Sequence, residues 1–150
     1  MPVRLQSAPF DPGAEFNCFL AQAKGAGAAV TFTGLVRSLA GSEIESMTLE
    51  HYPELAERQI GQILDEATTR FALLDAVVIH RFGELFPDEP IMQVMTLALH
   101  RREAFDGAEF LMDYLKTDAP FWKLEKTAGE SSWVAAKESD DQAKRRWKLD

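Results

Sequence analysis

The 150-residue chain has a single cysteine, Cys18, and three histidines. One cysteine excludes an intrachain disulfide, a thiolate metal cluster and redox chemistry through a cysteine pair. His51, His80 and His100 never fall three or four positions apart, so no helical pair of imidazoles is available and a zinc site is not expected. Long apolar runs are also missing. Stretches such as Val77-Val78-Ile79 are far too short to cross a bilayer, and residues 1–10 lack the basic-then-apolar pattern of a secretion signal. The expected location is cytoplasmic.

Phosphate-binding glycine loops are absent as well. Gly25, Gly27 and Gly34 fit neither a P-loop nor a G-x-G-x-x-G turn. No Ser or Cys nucleophile motif stands out, and Cys18, on a predicted helix among apolar neighbours, is expected to be buried rather than reactive. Positive charge is in the minority, with 16 Lys and Arg against 24 Asp and Glu and a net charge of -8, which opposes broad binding to nucleic acid. A few local cations can still hold a small anion, because salt screens distant charges beyond about 10 Å.

What the chain does have is a 46% hydrophobic content spread along its whole length, enough for one domain over residues 1–150 without metal or disulfides. The pattern is weakest after about residue 128. Residues 3–5 read as a short strand. Asp11-Pro12 starts a helix, with a capping carboxylate followed by proline, that ends near Lys24. Residues 28–37 form a β-branched and aromatic strand, 38–42 a turn, and 43–52 a strand that pairs back as a hairpin. From Pro53, Ala56, Ile60, Ile63, Leu64, Ala67 and Phe71 recur at helical spacing. Two strands follow, 76–81 and 91–100, joined by the loop "GELFPDEP", then a helix over 102–115 that must stop before Pro120. Trp133-Val134 predicts a short strand, and Ser139-Asp140 the cap of a final basic helix ending near Trp147. This order predicts an α+β domain with a mixed or antiparallel sheet packed against helices.

The cations gather at element ends. His100 and Arg101 sit where a strand gives way to a helix, a place whose outward N–H groups attract anions. Positive charge there is unfavourable unless an anion or carboxylate offsets it, so a functional reading is preferred. Lys116 in a last helical turn is already stabilised by the helix dipole, and Arg37 at a strand end can simply snorkel. Lys123 follows Pro120, Phe121 and Trp122, where it could pack on an aromatic face. His51 and His80, among apolar neighbours, read as structural. The two ends of the 102–115 helix lie roughly 20 Å apart, so a single ligand would meet both clusters only if a second subunit supplied one of them.

Blocks along the chain, "VTFTGLVR", "TLEHYPELAE", "VIHRFGEL", "HRREAF", "FLMDYLKTDAPFWKLE" and "WVAAKESD", resemble in order those of the large, catalytic subunit of molybdopterin synthase. The likeness runs from about Ala28 to Trp147, and "DYLKTDAPFWKLE" is its most specific block. The stretch "SLAGSEIES" after Arg37 departs from it, lacking an Asn-His pair common there. The resemblance implies sulfur transfer in molybdenum cofactor biosynthesis. A small ubiquitin-like sulfur-carrier subunit presents a thiocarboxylate on its C-terminal Gly-Gly tail, and cyclic pyranopterin monophosphate is sulfurated twice to give the molybdopterin dithiolene. It further implies a homodimer at the centre of a heterotetramer and no resident cofactor. By matching position, Lys116 and Lys123 are the expected catalytic residues. Arg37, His100 and Arg101 are the expected substrate-binding residues, the last two contributed by the partner subunit, with Phe32 and Glu125 in support. The alternative readings are a non-catalytic dimeric adaptor that grips the tail of a ubiquitin-like protein, which would not need His100-Arg101, and a phosphate-binding enzyme of other chemistry.

Overall fold

A computed structural model describes residues 2–37, 45–117, 121–127, 130–134 and 138–148. In chain order the elements are β1 (Val3–Gln6), α1 (Pro12–Ala21), β2 (Ala28–Leu35), β3 (Ser46–His51), α2 (Pro53–Arg70), β4 (Asp75–Arg81), β5 (Gly83–Leu85), β6 (Pro90–Ala98), α3 (Arg101–Thr117), β7 (Phe121–Thr127), β8 (Glu130–Val134), α4 (Glu138–Arg145) and a closing 3-10 turn (Arg146–Lys148). The α+β expectation holds, but the strands divide into two four-stranded sheets.

The first sheet has the order β1-β4-β6-β2 and is mixed, with β1 parallel to β4 and the other pairs antiparallel. Its side chains alternate between two cores, as the period of a strand requires. Val78, Val94, Met92 and Ala98 join Ile60, Leu64, Phe110 and Leu111 of α2 and α3 on one face. Ile79, Met95 and Leu97 pack with Phe16 and Phe19 of α1 on the other. The result is three layers. Asp11 caps α1 through its carboxylate, which accepts the Gly13 and Ala14 N–H groups at 3.0 and 3.2 Å. Fully buried Gln93 then ties the start of that helix to the sheet, donating to the Pro12 carbonyl at 3.0 Å and to Thr31 Oγ1 at 2.9 Å.

The second sheet, β5-β3-β7-β8, is antiparallel throughout. It overturns the expected hairpin between 28–37 and 43–52, because β3 pairs with β5 and β7 and not with β2. The physical reason is a competing core. Met47 and Leu49 of β3 bury themselves against Leu85 and Val36, a cluster that a hairpin continuing the first sheet would not make. The predicted loop "GELFPDEP" therefore starts with a strand, β5. The segment that follows the helix stop before Pro120 is the strand β7 from Phe121 on. The predicted turn at 38–42 and Pro120 itself lie outside the described residues.

Cys18 corrects another expectation, for its side chain is exposed. At 100° per residue it falls on the side of α1 opposite Phe16 and Phe19, and those two aromatics are what the sheet covers. His80 is structural as expected, buried with Nδ1 2.8 Å from the Arg81 carbonyl oxygen. Half-buried His51 rests against the Phe82 ring, with centroids 4.2 Å apart.

Candidate functional site

The cationic residues singled out by sequence divide between the two ends of the first sheet. β2 and β6 are antiparallel with Ala28 opposite Ala98 and Leu35 opposite Pro90. The eight residues of β2 thus span roughly 23 Å, with His100 just beyond one end and Arg37 just beyond the other. Only Leu99 and His100 separate β6 from α3, so the helix must reverse and run back over β6 and β2. The Thr96 hydroxyl, donating to the Ala104 carbonyl at 2.7 Å, fastens that reversal. The C-terminal turn of α3, with exposed Lys116, consequently lies toward the Arg37 end.

Lys123 arrives at this same end through the second sheet. Its backbone is in register with Leu49, and Leu49 packs in the cluster that contains Val36, the residue before Arg37. Its side chain, like those of Phe121, Trp122 and Leu124, lies outside the description, as does the expected packing of Lys123 on an aromatic ring. The chain therefore places Lys116, Arg37 and the strand bearing Lys123 toward one end. It does not bring His100 or Arg101 to them.

The opposite end is an open depression of about 820 Å³ lined by Gly27, Leu99, His100, Arg101, Arg102, Phe105 and Asp106. His100, Arg101 and Arg102 are all exposed at the start of α3, where N–H groups without helical partners point outward. Glu103 in the first turn and Asp106 on the rim offset part of this charge. The corner depends on Gly27, whose N–H donates to the Ala98 carbonyl at 3.0 Å. A Cβ at Gly27 would collide with the Leu99 carbonyl.

Sequence reasoning missed the pair that supports Arg37. Arg81, 4% exposed, donates to the Ser7 carbonyl through Nε and Nη2 at 3.2 and 3.0 Å and pairs through Nη1 with Glu89 at 3.1 Å. The other Glu89 oxygen accepts the Phe86 N–H at 2.7 Å, and this backbone bond first, with help from Arg81, holds the carboxyl below its ordinary pKa against the opposing effect of burial. Loop backbone then brackets Val36. Its N–H donates to the Glu89 carbonyl at 3.0 Å and its carbonyl accepts the Asp88 N–H at 2.8 Å. The one signal in sequence was an arginine ending a mostly apolar strand run, "AVVIHR". Phe32, 42% exposed on edge strand β2, and half-buried Glu125 on β7 make no bond to the cations among the described residues. Among the described residues no group of three His, Cys, Asp or Glu is placed to hold a metal. No described helix is long and apolar enough to cross a membrane.

Comparison with known proteins places this architecture. The family model described as MoaE protein matches residues 5–118. A molybdopterin synthase catalytic subunit of Cereibacter sphaeroides is 59% identical over 98% of this chain and 100% of its own. One of Pseudomonas aeruginosa is 49% identical over 98% of this chain and 99% of its own. Among solved structures, the molybdopterin biosynthesis MoaE protein of Burkholderia ambifaria superposes with a TM-score of 0.84 at 42% identity, covering 99% of this chain and 98% of that one. The match begins upstream of Ala28, so β1 and α1 are part of the shared pattern as well as the blocks after them. The chain belongs to the MoaE family.

Proposed function

We propose that Lys116 and Lys123 carry out the sulfur-transfer step and that Arg37, together with His100 and Arg101 of a second protomer, holds the anionic substrate. The function is that of a molybdopterin synthase catalytic subunit, a sulfur-transfer enzyme of molybdenum cofactor biosynthesis. The partner in this reading is a small ubiquitin-like subunit with a C-terminal Gly-Gly thiocarboxylate, the acceptor is cyclic pyranopterin monophosphate, and the assembly is a heterotetramer around a homodimer. A solved protein-protein complex of subunits 1 and 2 of the molybdopterin-converting factor from Helicobacter pylori shares the fold at 18% identity and a TM-score of 0.76.

The observation that carries this reading is the separation of the cations. A thiocarboxylate and a cyclic phosphate are both anions, and bringing them together requires positive charge around both. Lys116 and Arg37 are at one end of a protomer and His100-Arg101 at the other, roughly 23 Å of strand away. A two-fold pairing that laid one protomer's α3 start beside its partner's Arg37 would close the site. Edge strand β2 exposes Phe32 and Leu35, and Leu99 and Phe105 are exposed beside His100, so apolar surface for such a pairing adjoins both cation groups. With the site closed, the lysine amines can hold the thiocarboxylate and exchange a proton as sulfur replaces oxygen.

The test is conversion of cyclic pyranopterin monophosphate by the purified chain mixed with the thiocarboxylated small subunit, followed as dithiolene product. Lys116→Ala and Lys123→Ala are each expected to fold and bind the small subunit, with turnover reduced by about a hundredfold or more. Near-normal turnover in both variants would overturn the lysine assignment. Tail binding with no product from the intact chain would favour an adaptor.

A further inference from the structure

The last turn of α3 holds two opposite charges that do not meet. Asp113 and Lys116 are three residues apart on one helix, a spacing at which a carboxylate and an ammonium pair readily. Among the described residues no ion pair joins them. The Asp113 carboxylate turns instead to the C-terminal segment, where its Oδ2 accepts the Trp147 indole N–H at 2.6 Å and an Arg146 guanidinium N–H at 2.9 Å. Arg146 also reaches Glu109 at 3.4 Å, one turn earlier on the same helix.

The donor that makes the shorter bond is held firmly. The Trp147 ring stands edge-on to Phe71 and Phe110, each centroid 5.6 Å away, and the Arg70 guanidinium lies 5.7 Å over it. Phe110 is fully buried and Trp147 packs against the same core, so the indole N–H has a fixed aim. The Asp113 side chain is left only 16% exposed. Contacts that serve only to tie down a tail would not have to use the one acidic group a single turn before Lys116.

We infer that the C-terminal segment is a charge clamp: by engaging Asp113 it keeps that carboxylate off Lys116 and leaves the amine available to an anionic substrate. Trp147, Arg146 and Asp113 are positioning residues in this account, acting through Lys116. The functional half of the inference rests on Lys116 being catalytic, as proposed above; the clamp itself does not.

Two measurements on the full chain separate the two halves. The first is the rate at which an N-hydroxysuccinimide acetate acylates Lys116, read by mass spectrometry. Arg146→Ala and Trp147→Phe, which keeps a ring in the aromatic cluster, each remove one of the two donors, and the loosened carboxylate turns toward Lys116. Acylation is then expected to slow about two- to fivefold, the scale of one partly shielded helical ion pair. Adding Asp113→Asn to either background should restore the rate, because an amide cannot hold an ammonium as a carboxylate does. The second is sulfur-transfer turnover with the thiocarboxylated partner, expected to fall and recover in parallel.

Rescue by Asp113→Asn is the outcome a merely structural tail would not give, since that substitution would weaken the same contacts further. Unchanged acylation in both first variants, or no recovery on adding Asp113→Asn, overturns the clamp. Arg146→Ala, at a half-exposed position whose guanidinium lies 4.8 Å over the Trp147 ring, removes no ring from the aromatic cluster and keeps the test valid if Trp147→Phe unfolds. Acylation that follows the expected pattern while Lys116→Ala retains turnover would uphold the clamp and reject the catalytic role of Lys116.

Discussion

Arg81 and Glu89 form a 3.1 Å ion pair that ties the end of β4 to the residue before β6, with the arginine side chain 5% exposed and the carboxylate 30%. Because the Glu89 and Asp88 backbones bracket Val36, this pair also braces the base of Arg37. Removing the carboxylate strands a buried guanidinium, which keeps only its bonds to the Ser7 carbonyl. Glu89→Ala is therefore expected to cost about 3 kcal/mol, the low end for breaking a buried pair since this carboxylate is partly solvated. Urea denaturation of the variant beside the intact chain measures it, and a loss below about 1 kcal/mol would place the pair among ordinary surface bridges.

The same carboxylate gives the acid dependence a definite sign. Glu89 has a folded pKa below its ordinary value, chiefly because it accepts the Phe86 N–H and then because of Arg81. Its contribution is fully present above the unfolded value of about 4.3 and disappears as pH falls through the lower folded value. His51 is also depressed, by burial and against the opposing charge of Glu50. Its contribution is complete above about 6.5 and is lost as pH falls further. Both groups make the protein less stable in acid. The Glu89→Gln variant should lose less stability than the intact chain between about pH 5 and pH 3, and parallel pH profiles would show that Glu89 is not a source of the slope.

How much of this was legible in sequence depended on the range of the contacts involved. The Asp11-Pro12 start of α1 is local chemistry, a carboxylate reaching N–H groups two and three residues on, and it was readable from two letters. The helical spacing of Ile60, Ile63, Leu64 and Ala67 likewise gave α2 as a buried face. Strand partners were not readable in that way. Leu49 could alternate equally well beside β2 or beside β7, and the choice is settled by its burial against Val36 and Leu85, which no local pattern encodes. The cations were recognisable as individuals, and their separation followed from the length of α3. The bracing of Arg37 by Arg81 and Glu89 spans a turn and two strands and had to be seen in the fold.

If His100 and Arg37 serve one site from two protomers, defects in them should complement. A homodimer of Arg37→Ala and a homodimer of His100→Ala would each have two damaged sites. A mixed dimer of the two would have one site carrying both substitutions and one carrying neither. Mixed dimers isolated with two different affinity tags are expected to recover about half of the intact turnover per dimer, the arithmetic of one intact site in two. Failure of any recovery, with the mixed dimer shown to form, would place both residues in sites made by a single chain.

Gly27 gives a way to disturb the His100-Arg101 corner without altering a charge. Its N–H is bonded to the Ala98 carbonyl at 3.0 Å, and a methyl group there would meet the Leu99 carbonyl. Backbone cannot step aside as a flexible side chain can, and only Leu99 and His100 connect β6 to α3. The strain in Gly27→Ala must therefore be relieved by moving the residues that carry the two cations. Substrate affinity should weaken by about tenfold or more, since misplacing a binding group by an ångström has that scale of effect, while binding of the small subunit is expected to stay near its intact value. The decisive measurement is again the mixed dimer. A Gly27→Ala protomer should be rescued by an Arg37→Ala partner and not by a His100→Ala partner, because it fails at the same end as His100. Equal rescue by both partners would mean that the Gly27 defect does not act through the corner.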